Sequence, residues 1–189
     1  MPVRDPLADP KALTRRVYSY VAYRLGDGSD AEDVTSEVFE RAIRYRRNYD
    51  RTKGEPIAWL LGIARRCVDT ALTQQTETTD VTDYAADGDL EHEILERLTL
   101  TAAVGQLDAR GRELIALRYG ADLTAPQIAD VLEMRTNAVE VALHRALNRL
   151  RSILDGGSGD SGRVRDAVRI RPLTPVSDVK GARATGESA

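Results

Sequence analysis

Two consecutive helical stripes of apolar residues, joined by a basic loop, constrain this chain more than any other feature of its sequence. Within residues 29–45 and again within 56–72, apolar side chains recur every three or four positions, which is the spacing of one face of an α-helix. Ser29 and Glu32 have the pattern of a capping box, and Pro56 suits the first turn of the second helix. Because apolar stripes must be buried, the sequence predicts two helices that pack together.

The loop between these helices carries basic and aromatic side chains. A single strand of nucleic acid needs positive charge for its phosphates and flat surfaces for its bases, so the loop and the following helix predict a surface for an unstacked strand. The residues of this predicted strand surface are Arg47, Asn48, Tyr49, Arg51, Lys53, Trp59, Arg65 and Arg66. Arg65 and Arg66 are expected to face solvent, and Trp59 is equally compatible with packing in the core.

A further helical stripe precedes this pair, with Asp9 as its cap and Pro10 at its first position. The three helices are expected to form one helical domain over residues 9–75. Residues 76–89 then mix threonine with acidic side chains and predict a flexible acidic linker. A solvated spacer is favoured there over an acidic strand that occupies a groove built for nucleic acid.

A second helical domain is expected over residues 90–154, with Asp108 capping one helix and Thr124 and Gln127 forming a capping box on the next. A short capped helix, a brief turn and a longer helix indicate a helix-turn-helix, whose second helix can enter a DNA major groove. The predicted duplex-reading residues are Arg135, Thr136, Asn137, Glu140, Val141, His144, Arg145 and Arg149. A merely solvated helix face is the alternative. Residues 155–189 are expected to be a disordered tail.

Composition supports an all-α chain, because 42% of the residues are apolar but only 5% are aromatic. The net charge of −3 argues at first sight against nucleic-acid binding, because proteins that bind nucleic acids are usually more basic. The charges are segregated, however, since cations cluster within residues 41–66 and acids within 77–96. The lone Cys67 can form no internal disulfide, and no run is apolar and long enough for a signal peptide or a membrane span. A cytoplasmic protein without membrane insertion is expected.

The sequence predicts no catalytic centre. It contains no glycine-rich phosphate loop and no cysteine–histidine set at zinc spacing, and no carboxylate pairs with a candidate nucleophile. We therefore expect a protein that is not an enzyme and has no catalytic residue, metal site, cofactor or small-molecule substrate.

Two segments resemble parts of one known family. SDAEDVTSEVFERA at 29–42 and AWLLGIAR at 58–65 resemble region 2 of the extracytoplasmic-function (ECF) group of sigma-70 factors, and residues 107–151 resemble region 4. The resemblance implies two small helical domains joined by a linker. It also implies promoter DNA and core RNA polymerase as partners and leaves an anti-sigma factor as an open possibility.

The same resemblance assigns roles to the candidate surfaces. The strand surface is expected to bind the −10 promoter element, and the helix-turn-helix is expected to bind the −35 element. The residues expected to dock on core RNA polymerase are Asp33, Ser36, Glu37 and Glu40. The implied function is promoter-specific initiation of DNA-templated transcription. A helix-turn-helix regulator that acts without polymerase, and a polymerase-binding module that reads no promoter, stay open as alternatives.

The chain departs from the family pattern at several positions. Glu133 stands in the turn where glycine is usual, and Glu140 and Ala142 replace residues that are commonly basic. A carboxylate near phosphates is repelled, so these departures predict weaker contact with the −35 element or an unusual sequence preference. Arg66 stands where asparagine is common.

Overall fold

The computed structural model describes residues 5–77 and 99–157, and within these ranges every regular element is a helix. The prediction of an all-α chain is therefore confirmed. Residues 78–98, with most of the predicted linker, and residues 158–189, with most of the predicted tail, lie outside the described ranges.

The first described range contains three α-helices, α1 (Pro10–Leu25), α2 (Ser29–Tyr45) and α3 (Pro56–Glu77), and two 3-10 turns between the last two, Arg46–Asn48 and Arg51–Lys53. Asp9 caps α1 as predicted, because its carboxylate accepts the Ala12 N–H at 3.2 Å. The capping box predicted for α2 is wrong. Gly28, with φ of 141°, is the capping residue and its carbonyl accepts the Glu32 N–H, so Ser29 is already inside the helix. A glycine reaches this backbone region without steric cost, which moves the start of the helix one residue earlier.

The second described range begins within a helix, α4, described over 99–105. The elements that follow are α5 (Ala109–Ile115), a π-helical turn (Ala116–Gly120), α6 (Ala125–Leu132) and α7 (Thr136–Gly157). Both predicted caps are confirmed here. Asp108 accepts the Gly111 N–H at 3.0 Å, and Thr124 and Gln127 form a reciprocal capping box. The order α6, short turn and α7 is the predicted helix-turn-helix.

Helix α1 lies at the centre of the molecule. It packs against α2 and α3 on one side and against α5 and the π-helical turn on the other. Its Val17, Tyr20 and Val21 are fully buried, as are Leu60 of α3 and Ile115 of α5. One continuous hydrophobic core therefore joins the segment before residue 78 to the segment after residue 98.

A glycine allows this close contact between the two segments. A Cβ at Gly120 would lie 2.8 Å from the Tyr20 Cα and 2.9 Å from the Ser19 carbonyl oxygen, which are backbone atoms that cannot move aside. Arg16 strengthens the contact by donating to the carbonyl of Ala121 at 2.7 Å and to that of Asp122 at 3.2 Å.

Candidate nucleic-acid interface

A cavity of about 580 Å³ opens between the end of α2 and the first half of α3. Its lining residues are Arg41, Arg44, Tyr45, Asn48, Trp59, Ile63 and Arg66. Arg41, Arg44 and Asn48 are three and four residues apart, with Tyr45 next to Arg44, and the lining residues of α3 also recur at four- and three-residue steps. The cavity is thus the groove between two helix faces, each presenting one row of side chains.

The cavity combines cationic and flat apolar groups. Arg44 and Arg66 are exposed and Arg41 is half-buried, so all three guanidinium groups can reach an anion that enters the groove. The Tyr49 ring packs against Trp59 with centroids 5.6 Å apart and planes tilted by 56°. Phosphates and unstacked bases need these two kinds of group close together.

The loop beside the cavity is held in one shape by its own hydrogen bonds. The Tyr49 hydroxyl donates to the Gly54 carbonyl at 3.0 Å. The Asp50 carboxylate accepts the Thr52 N–H at 2.9 Å and its hydroxyl at 2.7 Å. These hydrogen bonds from Thr52 lower the pKa of the Asp50 carboxyl, because they favour its charged form. The loop cations are therefore presented on a stiff segment.

Apart from Tyr49, which packs on Trp59, the predicted strand surface divides into three groups. Asn48, Trp59 and Arg66 line the cavity, whereas the loop cations are exposed beside it. These loop cations are Arg47, Arg51 and Lys53. Trp59 is half-buried against the core and also lines the cavity, so its packing role is confirmed and its role in binding a strand stays a prediction.

Arg65 forms the third group; it was expected to face solvent, but its side chain is only 36% exposed and is bonded to residues after 98. Its Nε lies 3.1 Å from a Glu113 carboxylate oxygen, and it also donates to the Val131 carbonyl at 3.1 Å. Successive helical residues point about 100° apart, so Arg65 and Arg66 face different directions. Residues after 98 pack over the side of α3 that carries Arg65. The apolar pattern of α3 itself cannot show that a distant part of the chain packs there.

Sequence reasoning missed four residues of the cavity, namely Arg41, Arg44, Tyr45 and Ile63. Tyr45 was assigned to the buried stripe of α2, but 49% of it is exposed because it lies past the last buried turn at Ala42. The three- and four-residue spacing of Arg41, Arg44 and Asn48, which continues from α2 into the 3-10 turn after it, was the signal that could have revealed this row.

Glu113 is a buried carboxylate with three partners from the other segment. It is 6% exposed and binds Arg24, Arg65 and the Tyr20 hydroxyl, the last at 3.1 Å. Burial and the Glu113 charge raise the pKa of Tyr20 well above its ordinary value, although Arg24 and Arg65 oppose this shift. The cluster contains two cations for one carboxylate, and the exposed Asp69 lies 3.5 Å from Arg24.

The residues predicted to dock on core polymerase lie together on the outer face of α2. Asp33, Ser36 and Glu40 are exposed, whereas Glu37 is partly covered and forms an ion pair with Arg41. Because Arg41 lines the cavity, the Glu37 carboxylate reduces the positive charge of the cavity and is also part of the acidic face.

The predicted duplex-reading residues share the outer face of α7 and the turn before it. All are exposed except Thr136, which is half-buried. Val141 is 52% exposed, which is unusual for a large apolar side chain. Asn148 is bonded to His144 at 3.0 Å and accepts from Arg151 at 3.1 Å. The face therefore combines apolar, amide and cationic groups, each of which can contact base edges in a major groove.

Among the residues that the structure describes, no group of three acidic, histidine or cysteine side chains could hold a metal ion. No helix in the same part of the chain is both apolar and long enough to span a membrane.

Comparisons with known proteins agree with this architecture. The family described as Sigma-70 region 2 matches residues 11–78, and that described as Sigma-70, region 4 matches residues 97–150. The ECF RNA polymerase sigma factor SigK of Mycobacterium ulcerans is 32% identical over 150 residues, which cover 74% of this chain and 80% of SigK.

Two solved structures share the fold. CnrH, in complex with the cytosolic domain of CnrY, gives a TM-score of 0.55 at 24% identity over 79% of this chain and 84% of that chain. RpoE from Bartonella quintana, in complex with the anti-sigma factor NepR, gives a TM-score of 0.59 at 17% identity. This second match covers 76% of this chain and 92% of that chain.

Proposed function

The chain belongs to the ECF group of the sigma-70 family, and we propose that it serves as a detachable initiation subunit of bacterial RNA polymerase. It binds the core enzyme, recognises the −10 and −35 promoter elements and directs DNA-templated transcription initiation. The observation that carries this proposal is a cationic, aromatic cavity in the same chain as an exposed helix-turn-helix. One surface suits an opened strand and the other suits duplex DNA, and initiation needs both.

For the −10 element, we assign the strand to the cavity and the loop beside it. Arg41, Arg44 and Arg66 would neutralise phosphates, and Trp59 would stack on an unpaired base. The Asn48 amide offers both donors and an acceptor to a base edge. The exposed loop cations would extend the phosphate track beyond the cavity.

For the −35 element, we assign the outer face of α7. Arg145 and Arg149 would contact phosphates or guanine, and the Asn137 amide suits adenine. The exposed Val141 would contact a thymine methyl group, the apolar feature of the major groove. Glu140 lies on the same face, and it is the departure from the family pattern that most lowers the positive charge of this face.

For core polymerase, we assign the acidic face of α2. Exposed carboxylates at Asp33 and Glu40 have no role in the core, which favours a partner with basic groups. We infer a non-enzymatic role in the cytoplasm, where core polymerase and promoter DNA are found. An anti-sigma factor is a further proposed partner, since the RpoE structure contains one.

Both alternatives are disfavoured. A regulator that used only the helix-turn-helix would need no match to region 2, yet that match covers residues 11–78. A module that read no promoter is disfavoured because the exposed face of α7 carries asparagine and arginine side chains that suit a major groove.

Run-off transcription with purified core polymerase tests the function. On a pool of genomic fragments we expect discrete transcripts only when the chain is added, and their absence would contradict the proposal. The double variant Asp33→Lys with Glu40→Lys should lose co-purification with core enzyme while keeping its helicity. Glu37 is left intact because it pairs with Arg41. Asp130→Lys, which reverses an exposed acid on α6, is the matched control and should co-purify normally.

A further inference from the structure

The cavity between α2 and α3 has two different ends. At one end Tyr49, which follows α2, packs on Trp59 near the start of α3. The other end is marked by Cys67, farther along α3. Burial raises the pKa of its thiol, and Arg41 opposes this shift, so the Arg41 charge lies near that turn of α3. The helices therefore run antiparallel. Because Arg66 is next to Cys67, Arg41 faces Arg66 across the cavity that both line.

The chemical character of the cavity changes from one end to the other. Beside the loop, the lining residues Asn48 and Trp59 carry no charge. Ile63 follows one turn along α3, and Arg66 follows nearly one turn after that. Since an α-helix rises about 1.5 Å per residue, Trp59 and Arg66 are separated by about 10 Å along the helix. An aromatic, an apolar and a cationic group thus follow one another, which is the order of base, sugar and phosphate in one nucleotide.

The cationic end of the cavity holds two arginines in different states. Glu37 contacts the Nη2 atom of Arg41 and holds this side chain in place, while a guanidinium group has further N–H donors for a second acceptor. Arg66 is exposed, and within residues 5–77 and 99–157 its side chain has no ion-pair or hydrogen-bond partner. The two positive charges outnumber the one carboxylate, so this end attracts an anion. A phosphate group can accept hydrogen bonds from both guanidinium groups at once.

We propose that Arg41 and Arg66 bind the same phosphate group and thereby set which base of a single strand reaches Trp59. This register rests on the proposed −10 role of the cavity. Because Trp59 and Arg66 are one nucleotide apart, a phosphate held at the cationic end leaves its own base at the aromatic end. Asparagine, which is common in the family where Arg66 stands, has no charge for a phosphate. Arg66 is therefore a positioning residue, and a chain with asparagine there lacks this contact.

Trp59 is the single tryptophan of the chain, so its fluorescence reports binding at the cavity. Titrations use the full chain and two probes. One probe is a thymidine dinucleotide whose nucleosides are joined by one phosphate, and the other is the same dinucleotide with an uncharged methylphosphonate link. A base that stacks on Trp59 should quench its emission. The parent should bind the methylphosphonate probe roughly tenfold more weakly, because the hydrogen bonds from charged donors to a charged phosphate are lost.

Substitutions of the two arginines link this preference to the proposed contact. Arg66→Asn should bind the phosphate probe roughly tenfold more weakly than the parent and should no longer distinguish the two probes. Arg41→Ala should do the same, and combining both changes should cost little more, because the arginines bind one group. Arg66→Lys restores the charge without the planar fork, so it should recover part of the preference for phosphate.

Two further arginines serve as controls. Arg44→Ala removes a cation from the same wall of the cavity, between Arg41 and Asn48, and should keep the roughly tenfold preference for phosphate. Arg46→Ala removes an exposed cation that does not line the cavity and should keep both affinities. Circular dichroism should show equal helicity in all variants. A parent that binds both probes alike or neither, or an Arg44→Ala variant that loses the preference, would overturn the shared phosphate contact.

Run-off transcription with core polymerase separates this register from the proposed function. If the parent directs discrete transcripts but binds both probes alike, the register is overturned and the initiation role stands. If the probes and variants behave as expected but no transcript appears, the shared phosphate contact stands and the initiation role fails. When both hold, Arg66→Asn should also lower the yield of discrete transcripts, whereas Arg46→Ala should not.

Discussion

The cavity between α2 and α3 and the outer face of α7 are both proposed to bind DNA, yet they are built in different ways. The cavity is concave and needs rows of side chains from two helices, with aromatic and cationic groups facing each other. The α7 face is convex and comes from one helix, with Glu140 among its arginines. A concave surface can surround an unpaired base, whereas a convex helix fits a major groove, so each shape suits one state of the DNA.

The largest effect is expected from the cavity cations. Replacing Arg41, Arg44 and Arg66 by alanine removes up to three phosphate contacts, so single-strand affinity at 0.1 M salt should fall by roughly a hundredfold. The slope of log affinity against log salt should become shallower by about two units. Lys11→Ala with Arg15→Ala, which removes two exposed cations from α1, is the control and should change little. An equal loss on duplex DNA would show that the two surfaces are not separate.

Substitution of Trp59 tests whether the cavity binds a strand through stacking as well as through its positive charge. Trp59→Ala should reduce single-strand affinity by about 1–3 kcal/mol through lost stacking, and Trp59→Phe should retain part of it. Because Trp59 also packs on the core, thermal stability should fall too. Phe39→Ala is the matched control, since Phe39 packs on the same core without lining the cavity. It should lose stability but keep affinity, and a similar affinity loss would mean that Trp59 acts only through the fold.

The two surfaces also differ in how far the sequence predicts them. The exposure of the α7 face follows from one helical period, and the caps at Asp108 and at the Thr124–Gln127 pair were predicted because their partners lie within three residues. The capping box at Ser29 has the same spacing and was wrong, because α2 begins one residue earlier, after Gly28. Only some of the cavity residues were predicted, because the row on α2 lines a cavity only when α3 packs beside it. The direction of Arg65 was missed because Glu113 is far away in sequence. Local chemistry is readable from the chain, whereas contacts between distant elements depend on tertiary packing.

On the convex α7 face, the next largest effect is expected from Glu140. A carboxylate near phosphates is repelled, so Glu140→Lys should raise duplex affinity roughly tenfold at 0.1 M salt and steepen the salt slope by about 0.9. The gain should be equal on promoter and scrambled DNA, because phosphate contacts read no sequence. Single-strand binding in the cavity should not change.

A different result would reassign Glu140. If it accepts a hydrogen bond from a cytosine amino group, Glu140→Lys would lose affinity on the promoter alone. Mutating that base pair would then make no further difference. Titrations on promoter and scrambled duplexes at two salt concentrations separate the outcomes. Val141→Ala, on the same face but uncharged, should leave the salt slope unchanged and serves as the control.

The smallest effect on binding is expected in the turn that sets the direction of α7. Glu133 has φ of 53° and ψ of 47°, the left-handed region that costs a residue with a Cβ about 1 kcal/mol or more. The conformation is held because the Met134 N–H bonds the Ala129 carbonyl at 2.8 Å, closing the end of α6. Glu133→Gly should therefore raise the melting temperature by roughly 2–4 °C, measured by calorimetry.

The matched substitution separates backbone strain from the loss of a charge. Glu133→Ala removes the same carboxylate but keeps the Cβ, so it should not raise the melting temperature. Because the turn keeps its shape in both variants, α7 should present the same face, and their duplex affinities should be equal. A gain shared by both variants would instead assign the effect to the carboxylate, which would then act on phosphates as Glu140 does. The DNA-binding face of α7 would in that case extend into the turn, and two carboxylates, Glu133 and Glu140, would reduce its positive charge.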